Sequence, residues 1–129
     1  MRHRLVRWVA AAIVPVTFAL AASCSTGNRS APLIVVGGDP NRGKQLIQHY
    51  GCGSCHTIPG VRGARALVGP PLTHWSQRGY IAGVLGNTPD NLVNWIQHPR
   101  RIVPGSDMPD LGVTEPESRS IAAYLDQIR

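Results

Sequence analysis

The sequence predicts an all-α fold in which short amphipathic helices, joined by long loops, wrap one large buried group. Three observations predict it. Three segments repeat apolar residues at helical spacing behind clear start signals. The loops between them, over 57–72 and 99–113, are longer than a compact helical bundle uses, and such loops commonly wrap a ligand. Finally, 129 residues and 13.9 kDa make one domain with a thin apolar core. Apolar residues are 43% of the chain, but part of that share lies near the N-terminus, outside the predicted domain.

Residues 1–23 have the layout of a secretory signal: basic Arg2, Arg4 and Arg7, an apolar stretch from Trp8 to Ala22, then Ser23 and Cys24. The stretch contains Pro15 and falls short of the ~20 apolar residues that span a bilayer, which weighs against a permanent transmembrane anchor. Leu20-Ala21-Ala22-Ser23-Cys24 resembles a bacterial lipobox, with cleavage before Cys24 and lipid on its sulfur. Ordinary cleavage near Ala22 is the competing reading, and it would leave Cys24 an exposed thiol in an oxidising compartment. Residues 24–38 are then the lipidated N-terminus and a linker, polar at first and ending in Leu33 to Val36, which is expected to pack on the domain. Residues 39–129 form that domain.

Its first helix starts at Asp39, a capping residue followed by Pro40 at the first helical position, and Leu46, Ile47 and Tyr50 share a face before Gly51 ends the pattern. A second has Thr88 as cap, Pro89 behind it and Leu92, Trp95 and Ile96 on one face, with Pro99 as the stop. The third begins in the capping box Thr114-Glu115-Pro116-Glu117 and continues with Ile121, Tyr124, Leu125 and Ile128.

The formal charge of +6 and a pI near 10.0 invite a nucleic-acid reading that the distribution excludes. Without the three arginines of the signal, 10 basic residues face 7 acidic ones, a net of +3. The remaining arginines, such as Arg62, Arg65, Arg78, Arg100 and Arg101, are scattered, with Lys44 the one lysine; no basic stripe forms.

Cys52-Gly53-Ser54-Cys55-His56 is a C-x-x-C-H run, the attachment signature of haem c. Two thiols three apart lie on one side of a helical turn, so each can add to one vinyl group of the porphyrin, and the adjacent imidazole reaches the iron from that side. Gly53 and Ser54 are small enough for the peptide to lie against the macrocycle. A disulfide would close a very short loop, a thioredoxin-like pair needs a βαβ context that is missing, and a zinc site lacks a fourth ligand nearby.

The other side of the iron separates a carrier from an enzyme. Met108, in Val103-Pro104-Gly105-Ser106-Asp107-Met108-Pro109, is the candidate sixth ligand; a thioether there raises the reduction potential and closes the iron to small molecules. Met108 as a flexible core filler is one competing reading, and ligation by His49, His74 or His98 is another.

These residues resemble class I cytochromes c over nearly all of 39–129: Gly43 and Tyr50 in the first helix, Cys52 to His56, Gly69-Pro70, Leu92-Trp95-Pro99, Pro104 to Pro109, and Tyr124-Leu125. The resemblance implies a fold in which the first and last helices cross closely at Gly43, beside Tyr124. It also implies that the Pro70 carbonyl accepts the Nδ1 hydrogen of His56, and that Trp95 stands where mitochondrial relatives have a tyrosine near the methionine sulfur. The run from Gly69 to Gly83, with Asn87 to Leu92, looks like the cytochrome c domain of bacterial oxidase subunits II. On that likeness Trp75, Arg78 and Tyr80 are candidates to hold the haem propionates, with simple surface exposure as the competing reading.

The expected function is therefore single-electron transfer by one covalent haem c in a bacterial respiratory chain. Its partners would be redox proteins, an oxidase or a quinol-oxidising complex, met on the periplasmic side of a membrane through a lipid anchor. Two rivals are a tightly held subunit of a periplasmic dehydrogenase complex and a haem enzyme or gas sensor with an open iron.

Overall fold

A computed structural model of the chain describes residue 35 and residues 37–129. The expected signal segment, the lipidation site Cys24 and most of the linker lie outside the described residues. Of the run from Leu33 to Val36, Val35 alone is described, and it is buried in the core.

Helix α1 spans Pro40–His49. The Asp39 carboxylate accepts from the N–H groups of Asn41 at 2.9 Å and Arg42 at 3.4 Å, satisfying first-turn donors that no preceding residue can reach. Tyr50 caps the other end and Gly51, at φ 68°, turns the chain into a 3₁₀ turn at Cys52–Ser54. A second 3₁₀ turn lies at Trp75–Gln77. A two-residue-a-side hairpin comes next: β1 (Tyr80–Ile81) pairs antiparallel with β2 (Leu85–Gly86), Tyr80 opposite Gly86 and Ile81 opposite Leu85. Helix α2 is Pro89–Gln97, α3 is Pro99–Ile102 and α4 is Glu115–Leu125.

The three expected helices are present, and the structure adds to them. Pro99 does end α2, since the residue before a proline avoids helical backbone and His98 sits at φ −137°, ψ 52°. The same proline then opens α3, because its own fixed φ suits a first helical position. The expected last turn through Ile128 is not helical: α4 stops at Leu125. Ile128 is nonetheless buried, and its carbonyl accepts from the Ser76 N–H at 3.1 Å and the Ser76 hydroxyl at 3.0 Å.

Helix α4 packs chiefly on α1 and secondarily on α2. The crossing is close because Gly43 faces Ser120: a Cβ at Gly43 would overlap the Ser120 carbonyl. The neighbour is thus Ser120 and not the expected Tyr124, whose hydroxyl donates instead to the Pro59 carbonyl at 2.8 Å. Ile47, Ile121, Ala122, Leu125, Leu92 and Ile96 are buried at this junction, each of the larger ones contributing ~1.5–3 kcal/mol of transfer free energy. A carboxylate fastens the same junction from outside. Glu117 Oε2 accepts from the Thr114 N–H at 3.1 Å, the Thr114 hydroxyl at 2.6 Å and the Tyr50 hydroxyl at 2.8 Å. The capping box therefore also ties the start of α4 to the end of α1. Among the described residues no helix is long and apolar enough to cross a membrane.

Candidate haem site

Helices α1, α2 and α4, with the loops between them, enclose a cavity of about 420 Å³, within the ~300–1,000 Å³ of clefts that hold small molecules and cofactors. Ile47, Ile58, Ile81, Leu92, Ile96 and Leu125 make its wall apolar. Into it the structure brings Cys52, Cys55, His56 and Met108, together with Pro70, Trp75, Arg78, Tyr80 and Trp95. Every predicted cofactor and iron-binding position among the described residues lines this one space. His49, His74 and His98 do not. His49 instead sets its ring edge-on to Tyr50, 5.1 Å between centroids.

The attachment segment owes its shape to the turn after α1. The Cys52 carbonyl accepts from the N–H groups of Cys55 at 3.3 Å and His56 at 3.0 Å, so both cysteines and the histidine sit on a single turn. Both thiols are free and half-buried. Burial pushes the Cys52 thiol above its ordinary pKa, a backbone hydrogen bond opposes this, and the neighbouring Cys55 adds to it. Gly53 brings the turn against Ala64, leaving no room for a Cβ, which would stand 2.8 Å from that of Ala64.

His56 is oriented by the loop on its C-terminal side. Its Nδ1 lies 2.7 Å from the Pro70 carbonyl; a carbonyl can only accept, so Nδ1 carries the hydrogen and Nε2 keeps a lone pair for a metal. Gly69 makes this approach possible, because a Cβ there would lie 2.5 Å from His56 Cε1 and 2.8 Å from Nδ1. The loop is held in register by Gly69 N–H to the Cys55 carbonyl and Leu72 N–H to the Thr57 carbonyl, both 2.8 Å, and by the Thr57 hydroxyl to the Ala66 carbonyl at 2.9 Å.

Trp75 is buried, and the Arg78 guanidinium lies over its ring at 5.2 Å from the centroid. One Arg78 nitrogen, Nη2, donates to the Pro71 carbonyl and, at 3.2 Å, to that of Thr73. Arg78 thus braces the loop that carries Pro70 while facing the cavity. Tyr80 is 69% exposed, and Trp95 is half-buried. The donor set fits a haem c: two free thiols on one turn, an imidazole with a fixed tautomer, a thioether, and an apolar wall with a cation and indoles at its border.

The sequence reading missed the contribution of the hairpin and of the loop residues Val68, Leu72 and Leu111, which also line the space. A signal for the first was available: Tyr80-Ile81 stands between Gly79 and Gly83 and is mirrored by Leu85-Gly86.

No family model matches the chain. Cytochrome c2 of Rhodopila globiformis is 36% identical over 104 residues, covering 71% of this chain and 95% of that protein. The chain belongs to the cytochrome c family. Cytochrome c of Ginkgo biloba is 30% identical over 103 residues and covered over 88% of its length. Cytochrome c oxidase subunit 2 of Alkalihalophilus pseudofirmus is 32% identical over 90 residues, but the chain spans only 25% of that subunit. A solved cytochrome c2 from Rhodobacter sphaeroides, at 22% identity and a TM-score of 0.48 over 70% of this chain and 96% of its own, adds no weight to that assignment. As a class I c-type cytochrome the protein has the all-α cytochrome c fold and carries one covalent haem c. It is an electron carrier and not an enzyme.

Proposed function

We propose that this cytochrome passes single electrons to or from a membrane oxidase in a bacterial respiratory chain, with Cys52 and Cys55 as the thioether sites and His56 and Met108 as the axial pair. The observation that carries the reading is the convergence of those four side chains on one apolar cavity, with the imidazole already turned by Pro70. When bound, the haem supplies a one-electron redox couple. The polypeptide does the rest. The thiols fix position, the Pro70 carbonyl holds the Nδ1 proton and keeps the ring aimed, and the isoleucine and leucine wall excludes water. The Met108 thioether would hold the iron opposite His56, where it would raise the potential and keep small molecules from the metal. Arg78, Trp75 and Tyr80 would provide donors and a cation for the carboxylates of the cofactor, and Trp95 lines the same cavity from α2.

The oxidase as partner is supported by the likeness to a segment of an oxidase subunit. Export and anchoring are supported by the arrangement of residues 1–24: basic start, apolar stretch, small residues and Cys24. Residues 1–23 are read as the signal, 24–38 as lipidated N-terminus and tether, and 39–129 as the cytochrome domain. A lipid-bearing terminus confines the carrier to the periplasmic face, where its partners are met in two dimensions.

An optical spectrum tests the ligation. The purified oxidised protein is expected to show the weak far-red band of iron bonded to methionine sulfur, and a high-spin ferric spectrum with rapid carbon monoxide binding on reduction refutes it. Pelleting with membranes that survives Cys24→Ala refutes the lipid anchor.

A further inference from the structure

The segment carrying Met108 has few means of holding itself in place. Between Val103 and Val113 it forms no regular element, and Pro104 and Pro109 have no N–H to contribute. Its internal ties are Ser106 N–H to the Val103 carbonyl at 3.0 Å and Met108 N–H to the Ser106 hydroxyl at 3.2 Å. Yet Val103, Ser106, Asp107, Met108 and Pro109 all line the cavity, so something outside the segment must fix it there.

One residue reaches it from both flanks. Arg100 Nε donates to the Ser106 carbonyl at 3.2 Å, and the Arg100 backbone N–H donates to Asp110 Oδ1 at 3.5 Å. The N–H is available because α3 has no side-chain cap at His98. The two anchor points bracket Met108, and the first passes directly through Ser106 to the Met108 N–H. Arg100 does not itself line the cavity. Its neighbour Arg101 turns away, donating to Asn94 Oδ1 on α2 at 2.8 Å.

We propose that Arg100 is a positioning residue that holds the Met108 loop shut, so that entry of outside ligands to the sixth iron position is set from α3. The proposal rests on Met108 being that ligand. A loop that opens transiently exposes the iron to competitors, and the apparent affinity for a competitor scales with the open fraction. Breaking a charge-assisted hydrogen bond at an exposed position raises that fraction by a modest factor.

The test is imidazole titration of the oxidised holoproteins, followed in the far-red band, with thermal unfolding recorded for each. Arg100→Ala is expected to keep the band at rest and to bind imidazole ~5-fold more tightly than wild type. Arg100→Lys should fall between the two, and Asp110→Ala, which removes the second tie, should tighten binding ~2-fold. Arg101→Ala should leave the affinity at the wild-type value. An unchanged affinity in both Arg100→Ala and Asp110→Ala overturns the clamp while leaving the ligand assignment standing. An equal rise in Arg101→Ala also overturns it, because general loosening then explains the effect. Absence of the far-red band in the wild-type protein overturns the ligand assignment and the clamp together.

Discussion

The two sides of the cavity are built differently. On the His56 side the imidazole sits in a turn directly after α1, and the loop across from it is bonded back to that turn at Cys55, at Thr57 and at the imidazole itself. On the Met108 side the residue hangs in a segment with two prolines, tied at Ser106 and Asp110, among the described residues, to a single arginine. The first side is fixed by backbone geometry over a short stretch of chain. The second depends on a few side chains and is the side expected to give way under ligand competition. The difference suits the proposed carrier, in which Cys52 and Cys55 would attach the cofactor on one side and Met108 would only coordinate it on the other.

The rigid side breaks most severely. Gly69→Val would drive a side chain into the His56 ring and displace Nδ1 from Pro70; overpacking of this kind costs ~1–3 kcal/mol or more. Holoprotein is expected to fall sharply, measured as haem absorbance per mass of purified polypeptide, and normal yield with an intact spectrum would remove the argument for steric control of His56. On the opposite side Met108→Ala should leave folding and haem attachment intact. It should abolish the far-red band, lower the potential and let the reduced protein bind carbon monoxide, outcomes read by spectroscopy and redox titration.

Two smaller effects address the frame that both sides share. Tyr124→Phe removes the donor to the Pro59 carbonyl and should cost about 1 kcal/mol in denaturant unfolding; no loss would mean the loop after His56 is held without α4. Glu117 is held below the usual carboxylate range by the hydroxyls of Thr114 and Tyr50, by the Thr114 N–H and by the charge of Arg42, with burial opposing them. A carboxylate with a depressed folded pKa stabilises the fold fully above its unfolded value of ~4.3 and loses that contribution as pH falls through the folded value. Acid unfolding curves of wild type and Glu117→Gln should therefore differ above that window and converge below it.

Much of the His56 side was legible because its chemistry is local: Cys52, Cys55 and His56 are contiguous, and the caps at Asp39, Thr88 and Thr114 announce the helices. The Met108 side was legible as a methionine in a proline-flanked loop that lines the cavity, but not as to what holds it. The bond from Arg100 to Ser106 depends on α3, and α3 was hidden because Pro99 reads equally as a stop or a start. The 3₁₀ turn at Trp75 and the hairpin are too short to carry a period. Ala82 adopts φ of 50°, a conformation its residue type does not advertise. The crossing partner of Gly43 was misplaced onto Tyr124 because a helical stripe identifies the buried face and not which residue of it meets the glycine.

The tie from Tyr50 to Glu117 spans 67 residues, and Asp39 N–H reaches the Ser120 hydroxyl across 81. Such pairings are slow to find, because the intervening polymer must be closed into a ring before any reward is collected. Since synthesis runs from α1 toward α4, the cysteines emerge well before the element that completes their surroundings. Truncation ahead of Thr114 would remove Glu117 and Ser120 together and leave the cysteine turn without the helix that closes its surroundings.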